Sequence, residues 1–131
     1  MSKSPFDIAE SVAGSYVSAY KAKDVRKYLS LFSKDADYVD YGVQVHAKIS
    51  ALREELLRSF IRKDFQLNIR SFFVSADGRF AALQGTYSDT ARSGDVASVP
   101  IVSVLEFCDG RIIKESLYYD GSLFKRHFHA A

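Results

Sequence analysis

Tyr16 and Asp40 are the residues whose types and placement best suit acid–base chemistry in this chain. Tyr16 lies in a segment of helical periodicity, and Asp40 lies in the aromatic stretch Ala36-Asp-Tyr-Val-Asp-Tyr-Gly42. A phenol on a helix and a carboxylate on a short strand can be aimed into one cavity. There the carboxylate takes a proton and the phenol steadies negative charge on oxygen. Strand alternation puts Tyr38 and Asp40 on one face, with Val39 and Tyr41 on the other. Glu115 shares the parity of Ile113, Leu117 and Tyr119. If that face lines the cavity, Glu115 sits among apolar groups and is either paired or functional. If the register is opposite, it is solvated or paired with Lys or Arg. Asp120 has the other parity and is either a further acid or the cap of a turn before Gly121. His46 precedes a helix and reads more as a structural residue than as a base, and His127 and His129 belong to the tail.

Elements that would carry these groups follow from period and punctuation. Ser4-Pro5-Phe6-Asp7 opens a helix by capping and a first-turn proline, and Ile8, Val12, Tyr16 and Ala19/Tyr20 continue it to about Lys21. Asp24 caps a second, shorter helix with Val25, Tyr28, Leu29 and Phe32 on one stripe. From Ala36 to Val45 the pattern is a strand broken at Gly42, then a short strand. Lys48 to Lys63 returns to helix, with Ile49, Leu52, Leu56 and Phe60 inward, and Arg53, Glu54, Arg62 and Lys63 solvated. Four strands follow: Gln66 to Ala76, Phe80 to Thr90, Val96 to Cys108, and Arg111 to about Tyr119. Gly beside Asp or Ser marks each junction. Pro100 predicts a bulge or an edge position in its strand. Helices followed by a meander make an α+β order.

The bulk composition narrows the function classes. At 131 residues the chain is one domain, 1–131, with enough length for its own core. A net charge of +2, with scattered Lys and Arg, leaves no footprint for nucleic acid or an anionic membrane surface. No apolar run of about 18 residues is present, so no membrane-spanning helix is expected. Cys108 is the single cysteine, which excludes an internal disulfide. With no apolar leader core at the start, the expected location is cytoplasmic. No His/Cys/acid spacing forms a metal motif and no glycine-rich phosphate loop occurs, so neither metal nor cofactor is expected. Eight Tyr and ten Phe supply aromatic surface for a core or for a pocket that takes flat apolar ligands.

From Tyr16 to Tyr41 the chain is similar, without a gap, to the ketosteroid isomerase pattern: Tyr16-Val17, Asp24, Leu31-Phe32, Asp35-Ala36 and Asp40. Pro100-Ile101 and Phe107-Cys-Asp-Gly-Arg-Ile112 look like that family's last hairpin, and Tyr118-Tyr119-Asp120 with Leu123 resemble SnoaL-like tails. The chain therefore resembles the NTF2-like superfamily, in its ketosteroid isomerase and SnoaL-like polyketide cyclase branch, over nearly its whole length. The resemblance implies an α+β fold, with a curved antiparallel β-sheet wrapped around three helices of the N-terminal half to form a cone (NTF2-like, cystatin-like).

For the site, the resemblance implies Asp40 as the base and Tyr16 as the oxyanion-side phenol. Aligning Leu105-Glu106-Phe107 puts Ser103 where that family's protonated Asp stands, and a hydroxyl is the weaker donor. Glu115 is expected to be a second acid/base or a polar anchor, and Asp120 a cyclase-type acid. Tyr20, Tyr38, Phe60, Ile101, Leu105, Leu117 and Tyr119 are expected to bind substrate. The implied activity is cofactor-free isomerisation or cyclisation of a hydrophobic, steroid- or polyketide-like carbonyl compound in a conical pocket. The alternative is a ligand-binding or oligomerisation module without chemistry. The expected partners are a small hydrophobic ligand and a second copy, docked through the open sheet face.

Overall fold

A computed structural model of the chain describes residues 3–128, so His129 lies outside the described residues. Helix α1 (Pro5–Lys21) starts as the sequence dictates: the Ser4 hydroxyl accepts from the Asp7 N–H at 3.1 Å, and Pro5 occupies the first turn. Its buried face is Ala9, Ala13, Tyr16 and Ala19. The alanines let the helix lie close to the sheet, and Tyr16 reaches beyond them into the core. Asp24 caps α2 (Val25–Ser30) through the Lys27 N–H at 3.0 Å. The third helical segment is shorter than its apolar period suggests. A 3-10 turn over Ile49–Leu52 leads into α3 (Arg53–Phe60).

Strands β1 (Phe32–Asp40), β2 (Val45–Lys48), β3 (Gln66–Val74), β4 (Phe80–Thr90), β5 (Val96–Cys108) and β6 (Arg111–Tyr119) form one open sheet in the order β2-β1-β6-β5-β4-β3. Phe32 opens β1 instead of closing the second helix. The sheet is antiparallel except at one junction, where β1 runs parallel to β6 and sets Tyr38 beside Glu115 and Asp40 beside Leu117. Pro100 pairs with Thr86 on β4, at a point where β6 has already ended. Its missing N–H therefore costs no ladder bond on that side, which is the edge position the sequence suggested.

A register shift between Glu106 and Phe107 pairs Phe107 with Ile112, so Ile112 is fully buried while Ile113 drops out of the alternation. A fourth helix, α4 (Gly121–Phe128), follows β6 and was not expected from the sequence. The helices cover one sheet face. Tyr16, Tyr28, Phe60, Leu83, Leu105 and Ile112 fill the space between the layers. Each such side chain contributes roughly 1.5–3 kcal/mol by leaving water. Among the described residues, no helix is long and apolar enough to cross a membrane.

Gly85 shows how tightly the outer strands are built. A Cβ there would lie 1.9 Å from the Asn68 carbonyl oxygen, next to the β3 register shift between Ile69 and Ser71. Main chain cannot yield as a side chain would. Gly85→Ala is expected to destabilise the fold by about 3 kcal/mol, read as a lowered urea midpoint. An unchanged midpoint would contradict the packing described.

Candidate active site

Two polar centres lie between sheet and helices, one sealed and one open. The sealed centre is Glu115 on β6, which has no exposed surface. The Tyr16 hydroxyl donates to its Oε2 at 2.5 Å and the Tyr28 hydroxyl to its Oε1 at 2.5 Å. Ser103 Oγ lies 3.1 Å from the Tyr16 oxygen and 3.4 Å from Oε2. The carboxyl thus ties α1, α2 and β5 to β6. Burial raises its pKa, against the lowering effect of the hydrogen bonds from Tyr16, Tyr28 and Ser103, and the nearby Asp40 charge adds to the rise. Desolvation, then the Glu115 charge, pushes the Tyr16 and Tyr28 phenols well above their ordinary range, so both stay protonated as donors.

The open centre is a cavity of about 510 Å³. That size suits a small organic ligand. Tyr20, Tyr38, Asp40, Ile101, Leu117 and Tyr119 are among its lining residues. Asp40 closes β1, and its side chain is held in place: Oδ1 accepts from the Gly42 N–H at 3.0 Å and the Val43 N–H at 3.1 Å. The Tyr119 phenol hydrogen-bonds to the same carboxylate. Burial first, and then that bond, raises the Tyr119 pKa. Burial and the Glu115 charge do the same for Tyr38. Glu55 lines the cavity from α3, while its β1 side therefore presents the Asp40 carboxylate beside protonated phenols. Gly42 makes room for one of them, since a Cβ there would come within 2.2–2.6 Å of the Tyr119 ring. Tyr20 joins the two centres: it lines the cavity, and its ring packs 5.1 Å from that of Tyr16 and 5.2 Å from that of Tyr28.

The far wall carries a group that strand and helix patterns did not foretell. Arg62, expected to be solvated, donates through Nε at 3.0 Å and Nη2 at 2.5 Å to Asp89 Oδ2, which also accepts from the Tyr87 hydroxyl at 3.1 Å. Burial lowers the Arg62 pKa, but the Asp89 bonds outweigh it and the net shift is upward. Tyr87 is pushed up to about 12, by burial and then by the Asp89 charge. An Arg just past one helix and an acid on a distant strand leave no local signal of their pairing.

Of the expected catalytic set, only Asp40 lines the cavity. Tyr16, Ser103 and Glu115 converge on one another behind its wall, so the phenol and the carboxylate of the opening pair do not face a common hollow. Asp120 is turned away as the cap of α4, accepting from Ser122 N at 3.0 Å and Leu123 N at 3.1 Å. Among the expected substrate contacts, Tyr20, Tyr38, Ile101, Leu117 and Tyr119 line the cavity. Phe60 and Leu105 are buried behind its wall, in the main core. His46 stands on the surface, 3.8 Å from Asp37. Among the described residues, no cluster of His, Cys, Asp and Glu could hold a metal ion.

The raised Glu115 value fixes a sign. The folded state holds this proton more tightly than the unfolded chain. Its stabilisation is therefore complete below the ordinary value of 4.5 and is lost as pH rises through the folded value. Wild-type stability is expected to fall relative to Glu115→Gln as pH rises above the ordinary carboxyl value of 4.5. Glu115→Ala, which strands two phenols, is expected to cost about 3 kcal/mol or more. Denaturant midpoints across pH check both, and parallel pH curves for wild type and Glu115→Gln would contradict the first.

The sequence matches the model of the SnoaL-like domain over residues 13–115. No curated protein sequence matches significantly. Among solved structures, an NTF2-like protein of unknown function from Burkholderia pseudomallei superposes with a TM-score of 0.75 at 18% identity, covering 94% of this chain and 98% of its own. A candidate polyketide cyclase from Xanthomonas campestris pv. campestris gives 0.74 at 16% identity, covering 92% and 96%. TerC, co-crystallised with polyporic acid, gives 0.75 at 19% identity, covering 91% and 96%. These likenesses agree with the sheet and helix order in giving the NTF2-like fold. With the family match spanning most of its length, the chain belongs to the SnoaL-like domain family.

Proposed function

We propose that this protein is a cofactor-free acid–base enzyme acting on a hydrophobic carbonyl compound, by isomerisation or aldol-type cyclisation. The observation that carries the reading is the buried Asp40 carboxylate on the cavity wall, bonded to Tyr119 and facing the same hollow as Tyr38 and Tyr20. Asp40 takes a proton from the carbon next to the carbonyl, and the C–H electron pair moves onto the carbonyl oxygen. A cavity phenol donates to that enolate oxygen. In an isomerisation, Asp40 returns the proton at another carbon. In a cyclisation, the enolate carbon attacks a second carbonyl of the substrate, and the new alkoxide takes the proton. Tyr16, Ser103 and Glu115 then act at one remove, by holding Tyr20 and the cavity wall in position.

A second reading, ligand binding without turnover, draws on the turn at Asp40, since its two main-chain N–H bonds alone would explain an Asp there. Deuterium exchange at the acidic carbon of 2-tetralone in heavy water separates the two. The wild type is expected to accelerate it, and Asp40→Asn to remove about 10²–10⁴-fold of that rate. Asn keeps an acceptor for Gly42 and Val43, so the melting temperature should barely move. Equal rates in the two proteins would sink the assignment.

The uncovered sheet face is proposed as a contact between two copies. Tyr41 and Tyr118 stack there at 4.8 Å and remain exposed, next to Val102 and Val104 on β5. A dimer is expected by light scattering, and Val104→Arg should give a monomer. A monomeric wild type would exclude this contact.

A further inference from the structure

Among the described residues, four tyrosines line the cavity: Tyr20, Tyr38, Tyr87 and Tyr119. A phenol can steady an enolate only if its O–H is not already given to another acceptor. Two of the four are committed. The Tyr87 hydroxyl donates to Asp89 at 3.1 Å, and that of Tyr119 to Asp40. Tyr20 reaches the hollow from α1, with its ring held 5.1 Å from that of Tyr16, 5.2 Å from Tyr28 and 4.9 Å from Phe60. The Tyr38 hydroxyl has no hydrogen-bond partner among the described residues, yet no buried side-chain oxygen there lacks one. That hydroxyl is therefore not sealed, and the open space its side chain borders is the cavity.

Position favours the same residue. Tyr38 and Asp40 lie on one face of β1, two residues apart, so their Cα atoms are about 7 Å apart. In an enolising ketone, only the carbonyl carbon separates the acidic carbon from the oxygen. A base and a donor rooted this far apart meet those two atoms when one arm is short and the other long. Asp40 is the short arm, held by the Gly42 and Val43 N–H groups. Tyr38 is the long one, set on its strand between Ala47 of β2 and Glu115 of β6. Burial, and then the Glu115 charge, keeps its phenol protonated, as a donor must be.

We propose that Tyr38 is the catalytic residue that donates a hydrogen bond to the substrate's carbonyl oxygen while Asp40 takes the proton from the neighbouring carbon. This rests on the reading of Asp40 as the base. The C–H bond breaks, its electron pair becomes the C=C bond of the enolate, and the carbonyl π pair settles on oxygen. The proton passes to Asp40, and Tyr38 keeps its own, sharing it with that oxygen. When the enolate carbon takes a proton back or attacks a second carbonyl, the pair leaves the oxygen and the bond from Tyr38 relaxes. Tyr16 does not take this part, because its O–H is given to Glu115.

Deuterium exchange into 2-tetralone, followed to saturation, tests the assignment with Tyr38→Phe, Tyr20→Phe and Asp40→Asn. Tyr38→Phe is expected to lower kcat about 10²-fold with KM nearly unchanged, because its bond strengthens only as charge develops on oxygen. Its melting temperature should match the wild type, since the lost hydroxyl had no protein partner. Tyr20→Phe is expected to lose far less. Wild-type kcat in Tyr38→Phe, a lowered melting temperature in that protein, or an equal loss in Tyr20→Phe overturns the role of Tyr38, while the loss in Asp40→Asn leaves the base in place. Wild-type exchange no faster than that of Asp40→Asn removes the reading of the base, and this proposal with it.

Discussion

A carboxyl group buried beneath aromatic rings must be hydrogen-bonded, and Glu115 meets that requirement with hydroxyls drawn from three separate elements. An unpaired carboxyl or phenol in this place would carry the full cost of leaving water. Its bonds therefore act as a specification. α1 must present Tyr16, α2 must present Tyr28 and β5 must present Ser103 at one point above β6. Once those are set, Tyr20 and Phe60 pack around the group, with ring centroids 4.9 Å apart, and the wall of the cavity is in place. Among the described residues, no buried side-chain polar atom lacks a partner, so the network is complete rather than half-built.

The division between a sealed polar centre and an open one is what gives the cavity its character. Glu115 is satisfied by its own neighbours and has no surface to offer a ligand. Asp40 is oriented by main chain and by Tyr119, yet remains on the wall of the hollow. Hydrogen-bond donors surround it in a protonated state because burial and nearby negative charge both oppose their ionisation. The lining is otherwise apolar toward the sheet, with Val99, Ile101 and Leu117, and polar toward α3 and the Arg62–Asp89 pair. A ligand bound there would meet an oriented carboxylate at one end and a charged rim at the other.

Local chemistry made much of the fold legible. Ser4, Pro5 and Asp24 mark helix starts because capping is a matter of a few adjacent residues. Period-two stretches bounded by Gly and Asp locate the four long strands for the same reason. What escaped was non-local or compensated. The parallel pairing of β1 with β6 joins residues far apart in sequence, and nothing within either strand encodes it. The shift at Phe107 exchanged Ile112 for Ile113 on the buried face, which a strict alternation cannot anticipate. Helix α4 was hidden in a short basic tail whose Phe124 and Phe128 gain meaning only against Tyr87 and Tyr119. At the site, the sequence singled out a phenol, a hydroxyl and carboxylates, and the structure buries Tyr16, Ser103 and Glu115 together and sets Asp40 on the cavity wall. The sequence could not say that Tyr16 would spend its hydroxyl on Glu115 and leave the cavity to other tyrosines.

The parallel β1–β6 pair also bears on how the chain reaches this state. β6 follows the other five strands of this sheet in the chain, yet it sits between β1 and β5 and joins the early part of the domain to the late part. Until it emerges from the ribosome, β1 and β5 both expose unpaired edges, and Tyr16 and Tyr28 have no acceptor. Pairings of such wide sequence separation slow folding, because the loop must close before the contacts are gained. Co-translational assembly of this domain is thus delayed to its final stretch, and the nascent N-terminal portion passes through a period of open-edged, chaperone-accessible structure.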